Sequence, residues 1–117
     1  MFSLSTLFGC KSEPKQSITA ATVAEFGEGL SNDDVQLIDV RTAEEFQDGY
    51  IENAQLIDFR LDDFRDKIQE LDKDQPVYLY CKSGNRSGKA SKIMAELGFK
   101  EIVDLKGGYK AWSKQIE

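Results

Sequence analysis

Between Pro76 and Leu97 the hydrophobic pattern changes period, and that change restricts the folds open to the chain. Val77, Tyr78, Leu79 and Tyr80 make an uncharged apolar and aromatic run after a proline, the composition of a strand. From Ala90 onward apolar residues recur at Ile93, Met94 and Leu97, the spacing of one helical face. The segment between them, Cys81-Lys82-Ser83-Gly84-Asn85-Arg86-Ser87, opens on a cysteine and carries an arginine near its end. A strand followed so closely by a helix puts Cys81 at a strand's carboxyl end and at the mouth of a helix. Ligands gather at that place in open α/β sheets. A thiolate there is stabilised by backbone N–H groups and the helix dipole.

The flanking chain repeats the alternation. Thr19 is the expected N-cap of a helix carrying Val23, Phe26 and Leu30, with Gly27 and Gly29 marking its end. Asn32-Asp33-Asp34 reads as a turn and Val35 to Val40 as a strand. Thr42 and Glu45 have the spacing of a capping box, followed by a brief helix that stops at Gly49. Gln55 to Asp58 is a short strand candidate, and Asp62 to Leu71 is helical, with Phe64, Ile68 and Leu71 on one side. Gly98 suits the position after a helix end, and Glu101 to Leu105 is the last strand. Gly107-Gly108 turns the chain into a final helix carrying Tyr109, Trp112 and Ile116. Such alternation predicts an α/β fold: a central, mostly parallel sheet with helices on both faces. Residues 1–16 are expected to be an N-terminal tail and residues 17–117 the domain.

Composition excludes several chemistries. The 117 residues fit one domain. The sequence contains no histidine, which rules out a Ser-His-Asp triad, a Cys-His dyad and histidine-ligated zinc. Two cysteines, Cys10 and Cys81, do not suffice for a four-cysteine metal site or a disulfide scaffold. A net charge of -6 with no basic block on any expected helix argues against nucleic acid as partner. No apolar run approaches the length of a membrane span. Leu7-Phe8-Gly9-Cys10 has a faint likeness to the box before a lipidated cysteine, without a positive leader or a full apolar core. A cytoplasmic protein is therefore expected, the alternative being a periplasmic or lipid-anchored one through Cys10.

A lone thiol must lower its pKa without a histidine base. Gly84 and Asn85 tolerate left-handed backbone, so the loop can turn successive N–H groups inward as an anion nest. Lys82 and Arg86 add positive charge, and together these features should pull Cys81 below a free value of about 8.5. Arg86 is expected both to brace the loop and to pair with an acid such as Asp39. Asp39 and Arg41 are read as a supporting ion pair at a strand end. Gly107 and Gly108 are expected to let the backbone approach the loop closely.

These residues resemble a single-domain rhodanese, a sulfurtransferase. Five pieces match in order: Asp39-Val40-Arg41 with Glu44-Glu45-Phe46; Gly49 to Ala54; Cys81 to Ser87; Gly98-Phe99; and Gly107-Gly108 with Trp112. The resemblance implies a three-layer rhodanese-like fold with a sheet of about five strands. It also implies a Cys81 persulfide formed from a sulfane donor such as thiosulfate or a persulfide. The sulfur then passes to cyanide, a thiol or a partner protein's cysteine. The loop N–H groups of Lys82 to Arg86 would stabilise that intermediate, with no metal or organic cofactor. Two positions depart from the family's pattern: Tyr50 stands where histidine is usual, and Lys82 where arginine is frequent. Two rival functions remain. One is a cysteine phosphatase, whose loop has five residues between cysteine and arginine against the four here. The other is a rhodanese-like module that binds proteins or carries sulfur without catalysis.

Overall fold

The computed structural model describes residues 16–115. In chain order the elements are β1 (Ser17–Ala21), α1 (Val23–Gly29), β2 (Gln36–Asp39), α2 (Ala43–Gln47), β3 (Gln55–Leu56), α3 (Phe64–Ile68), β4 (Val77–Tyr80), α4 (Asn85–Glu96), β5 (Glu101–Leu105) and α5 (Gly108–Gln115). The strands form one sheet in the order β1-β5-β4-β2-β3, and every pairing is parallel. Parallel neighbours need crossovers, and the intervening helices supply them on both faces.

Alternation along each strand divides the core in two. Ile38, Val77, Leu79, Cys81 and Ile102 pack on one face with Phe64 and Ile68 of α3 and Ala90 and Met94 of α4. Leu37, Tyr80, Val103 and Leu105 pack on the other with Phe26 of α1 and with Tyr109 and Trp112 of α5. Each face thus buries its own set of side chains, as period-two strands between helical layers require.

From the carboxyl end of β2 the chain runs outward to the edge strand β3. From the carboxyl end of β4 it runs the opposite way, to β5. The adjacent ends of β2 and β4 therefore form the switch point at which a crevice opens in such sheets. Arg41 follows one strand and Cys81 the other.

Several expectations need correction. Thr19 does not cap a helix; it lies in β1, paired with Val103. The N-cap of α1 is Thr22, in a full capping box with Glu25. Both threonines suit a cap. β1 is an edge strand of which only Ala21 is buried, so it carries little hydrophobic signal. Helix α4 starts at Asn85, five residues before its apolar stripe, because its first turn is polar. Asn85 is accordingly helical, and among the described residues the non-glycine residue with positive φ is Asn53, at 75°. The elements expected at Gln55–Asp58 and Asp62–Leu71 are shorter, Gln55–Leu56 and Phe64–Ile68. Ile116, Cys10 and most of the expected tail lie outside the described residues.

Candidate active site

Cys81 directly follows β4 and is 1% exposed. Gly84 takes a φ of 113°, which turns its N–H back onto Cys81 Sγ at 3.0 Å. Only glycine adopts that angle without strain. Burial pushes the Cys81 thiol up. The Gly84 N–H on the sulfur, together with the polarity of the Ser87 hydroxyl and of the Ser87 and Ser83 N–H groups around it, outweighs burial and holds the thiol below its ordinary value. The direct donor to the sulfur is the loop amide of Gly84, as an inward-turned nest requires.

A second layer fixes the loop from outside. The Tyr109 N–H donates to the Cys81 carbonyl at 2.8 Å, and the Lys110 N–H to the Lys82 carbonyl at 3.0 Å. The first turn of α5 thus grips the two carbonyls on which the loop pivots. Gly108 makes this contact possible: its φ is 63°, and a Cβ there would meet the backbone of Lys82 and Cys81. The expected close approach of Gly107-Gly108 to the loop is met at Gly108.

Arg86 does not pair with Asp39. It forms a bidentate pair with Glu45, with Nη1 and Nη2 donating to the two carboxylate oxygens at 2.8 and 2.9 Å. Its hydrogen bond to Glu45, more than burial opposes it, raises the Arg86 pKa, with Cys81 a smaller contribution. Glu45 is held at about 2, chiefly by Arg86, while its capping bonds to Thr42 add to the effect. One carboxylate thus closes the start of α2 and anchors the start of α4, across 41 residues of chain. The capping-box spacing found Glu45; its second task has no local sequence signal.

Asp39 instead belongs to Arg41. The Arg41 Nη2 donates to Asp39 at 2.7 Å, its Nε donates to the same carboxylate, and Asp39 is fully buried. Arg41 also donates to the Gly49 carbonyl at 2.6 Å and lies 4.4 Å from the Tyr109 ring centroid. Burial opposes its charge, but the bonds to Asp39 prevail and raise its pKa. The expected supporting pair is present, and it ties the ends of β2 and α5 together. Tyr50 is half-exposed and stacks on Phe46 with ring centroids 3.9 Å apart. Its role here is an aromatic lid on α2.

Of the expected loop residues, Lys82 and Ser83 are exposed, Gly84 and Arg86 are half-buried, Asn85 opens α4 and Ser87 is fully buried. A cavity of about 440 Å³ lies beside the loop, lined by Arg41, Glu45, Gly49, Lys82, Tyr109 and Lys110 among others. Its lining combines Lys82, Lys110 and the buried Arg41 with the acids Glu45 and Asp48, and of the loop it reaches Lys82. Among the described residues no cluster of His, Cys, Asp and Glu is placed to hold a metal, and no helix is long and apolar enough to cross a membrane.

The sequence matches the Rhodanese-like domain over residues 22–115. It is 41% identical over 96 residues to the uncharacterized protein YqhL of Bacillus subtilis, spanning 82% of this chain and 73% of that one. It is 35% identical over 82 residues to a sulfurtransferase of Allochromatium vinosum, spanning 70% of this chain and 75% of that one. Some other relatives are much longer, and this chain spans 21% to 28% of their length. Among solved structures, a rhodanese-like domain protein from Staphylococcus aureus superposes with a TM-score of 0.72 at 35% identity, over 80% of this chain and 90% of that one.

Proposed function

The chain belongs to the rhodanese-like domain family, and on that premise we propose that it transfers sulfane sulfur through a persulfide on Cys81. The observation that carries the reading is the Gly84 N–H on Cys81 Sγ at the carboxyl end of β4, with the thiol held below its ordinary value despite burial. Relatives named as sulfurtransferases, most of whose length this chain spans, support it, among them that of Allochromatium vinosum.

In the first step the Cys81 thiolate attacks the outer sulfur of thiosulfate. The new S–S bond forms as the old one breaks, and sulfite leaves with the bonding pair. The product, Cys81-S-S⁻, carries its charge one atom further out, within reach of the inward-facing amides. In the second step an acceptor nucleophile, cyanide or a thiolate, takes the outer sulfur and returns Cys81 as thiolate. No redox partner is needed, because sulfur is exchanged between nucleophiles. Lys82 and Lys110, which line the neighbouring cavity, suit an anionic donor, although a lysine at position 82 grips an oxyanion less specifically than an arginine would. The loop has four residues between Cys81 and Arg86, and Arg86 is already committed to Glu45. Both features favour a site for one sulfur over one for a tetrahedral phosphate.

The test is intact mass after incubation with thiosulfate. Gain of one sulfur, removed by cyanide and absent from Cys81→Ser, is expected. Absence of any adduct with thiosulfate and with organic persulfides overturns the assignment, and rapid turnover of an aryl phosphate would replace it.

A further inference from the structure

Two polar atoms beneath the loop are sealed from solvent and without a hydrogen-bond partner at full bonding geometry among the described residues: Ser87 Oγ and Asp104 Oδ1. Ser87 is fully buried in the first turn of α4. Asp104 is in β5, beside Leu79 of β4 and Ala20 of β1. By alternation it shares the sheet face of Ile102 and Cys81, the face that α4 covers. Ser87 bears on both titrating groups: its hydroxyl favours the charged form of Cys81 and that of Asp104, whose carboxyl burial otherwise raises.

A serine hydroxyl has one proton. It can be donated to the Cys81 thiolate or to the Asp104 carboxylate, not to both. When Asp104 is ionised it competes for that proton and adds a negative charge beside the sulfur. When Asp104 is protonated, its own O–H can donate to Ser87 Oγ, and the serine proton is left for the sulfur. We infer that Asp104 is a positioning residue for the nucleophile, and that its protonation state sets whether the Ser87 hydroxyl serves Cys81.

Among the described residues the charged neighbours of the start of α4 are Arg86, whose charge acts on Cys81, with Glu45 and Asp58 beside it. β1 has no titratable side chain, and the tyrosines of β4, Tyr78 and Tyr80, belong to the opposite face. On α4, Arg86 is held by Glu45, while Lys89 and Lys92 are exposed. Ser87 is the group common to Cys81 and Asp104. The inference adopts Cys81 as the sulfur-carrying nucleophile, but it concerns the thiol itself and can be tested without any sulfur donor.

The experiment follows iodoacetamide alkylation of the Cys81 peptide against pH by mass spectrometry, so that Cys10 does not contribute. Asp104→Asn removes the competing charge and keeps a donor facing Ser87. The midpoint for Cys81 is expected to fall by about one pH unit, about tenfold more thiolate on the acid side. A thiolate of lower pKa is intrinsically less nucleophilic, so the alkylation rate there should rise about threefold rather than tenfold. Ser87→Ala should raise the midpoint, and adding Asp104→Asn to it should then have less than half the effect it has alone. An unchanged or raised midpoint in Asp104→Asn overturns the inference. So does an equal shift with and without Ser87, which would mean simple charge repulsion. Should Asp104→Asn fail to fold, the ¹³C shift of the wild-type Asp104 carboxyl gives the same answer. It must respond at the Cys81 midpoint and lose that response in Ser87→Ala, and a carboxyl that titrates in a single step overturns the inference. Failure of sulfur transfer itself would leave these readouts intact.

Discussion

Breaking the Glu45–Arg86 pair should destabilise the fold by an amount that depends on pH in a defined direction. Glu45 is held at about 2 against an ordinary 4.5. At about 1.4 kcal/mol per pH unit this sets a ceiling of ~3.5 kcal/mol. The side chains are 16% and 27% exposed, so solvent screening applies, and part of the shift belongs to the Thr42 cap. A coupling energy of about 1–2 kcal/mol remains for two charge-assisted bonds in this setting. Because the folded-state pKa lies below the unfolded one, the stabilisation is complete above 4.5 and is lost as pH falls through about 2. The assay is a double-mutant cycle of Glu45→Gln and Arg86→Gln in urea, at neutral pH and again at about pH 2.5. Coupling near 1–2 kcal/mol that falls by about half at the acid end is expected. A coupling under about 0.3 kcal/mol at neutral pH, or one indifferent to pH, would refute the view that this pair holds α2 against α4.

Two further substitutions probe the frame around the loop. Gly108→Ala places a Cβ 2.6 Å from the Cys81 carbonyl oxygen at a φ of 63°, and should cost more than about 2 kcal/mol in urea melts and raise the Cys81 alkylation midpoint; a variant of unchanged stability would mean that α5 does not grip the loop. Asp39→Asn leaves the Arg41 guanidinium, 4% exposed, without its counter-charge, and should cost about 3 kcal/mol or more; a loss under about 1 kcal/mol would show that the Gly49 carbonyl and the Tyr109 ring suffice to hold it.

The period change after Tyr80 was enough to place Cys81 at a sheet's carboxyl end, because burial on alternate strand faces and on one helix stripe leaves a direct imprint on residue order. Thr42 and Glu45 were equally legible, since a capping box is a local arrangement. What could not be read was long-range. β1 is short and mostly exposed, so hydrophobicity does not mark it. The partner of Arg86 depended on how α2 and α4 meet, and Asp39 and Glu45 are equally good acids until that geometry is fixed. Asp104 did carry a signal that could have been used. A parallel strand covered on both faces should be apolar throughout, and an aspartate between Val103 and Leu105 breaks that rule. A polar residue that breaks the pattern beside a nucleophile marks a place to look for a functional role.

The cations of the loop are what a reader of the sequence would credit with activating Cys81, and the geometry moves that credit elsewhere. Arg86 commits two of its N–H donors to Glu45, and Lys82 is exposed. The sulfur is served instead by amides whose directions depend on backbone angles, and a hydrogen bond to a charged group is worth about 1.5–3 kcal/mol only when its direction is held. That direction is held from outside: α5 fixes the carbonyls of Cys81 and Lys82, and the Glu45 pair fixes the start of α4 that presents Ser87. Without a histidine, then, the reactivity of the thiol is a property of how three helices meet around one strand end. Neutralising Lys82 should accordingly leave the Cys81 midpoint nearly in place, whereas loosening α5 at Gly108 should move it. A Lys82→Ala shift larger than that of Gly108→Ala would return the credit to the cations.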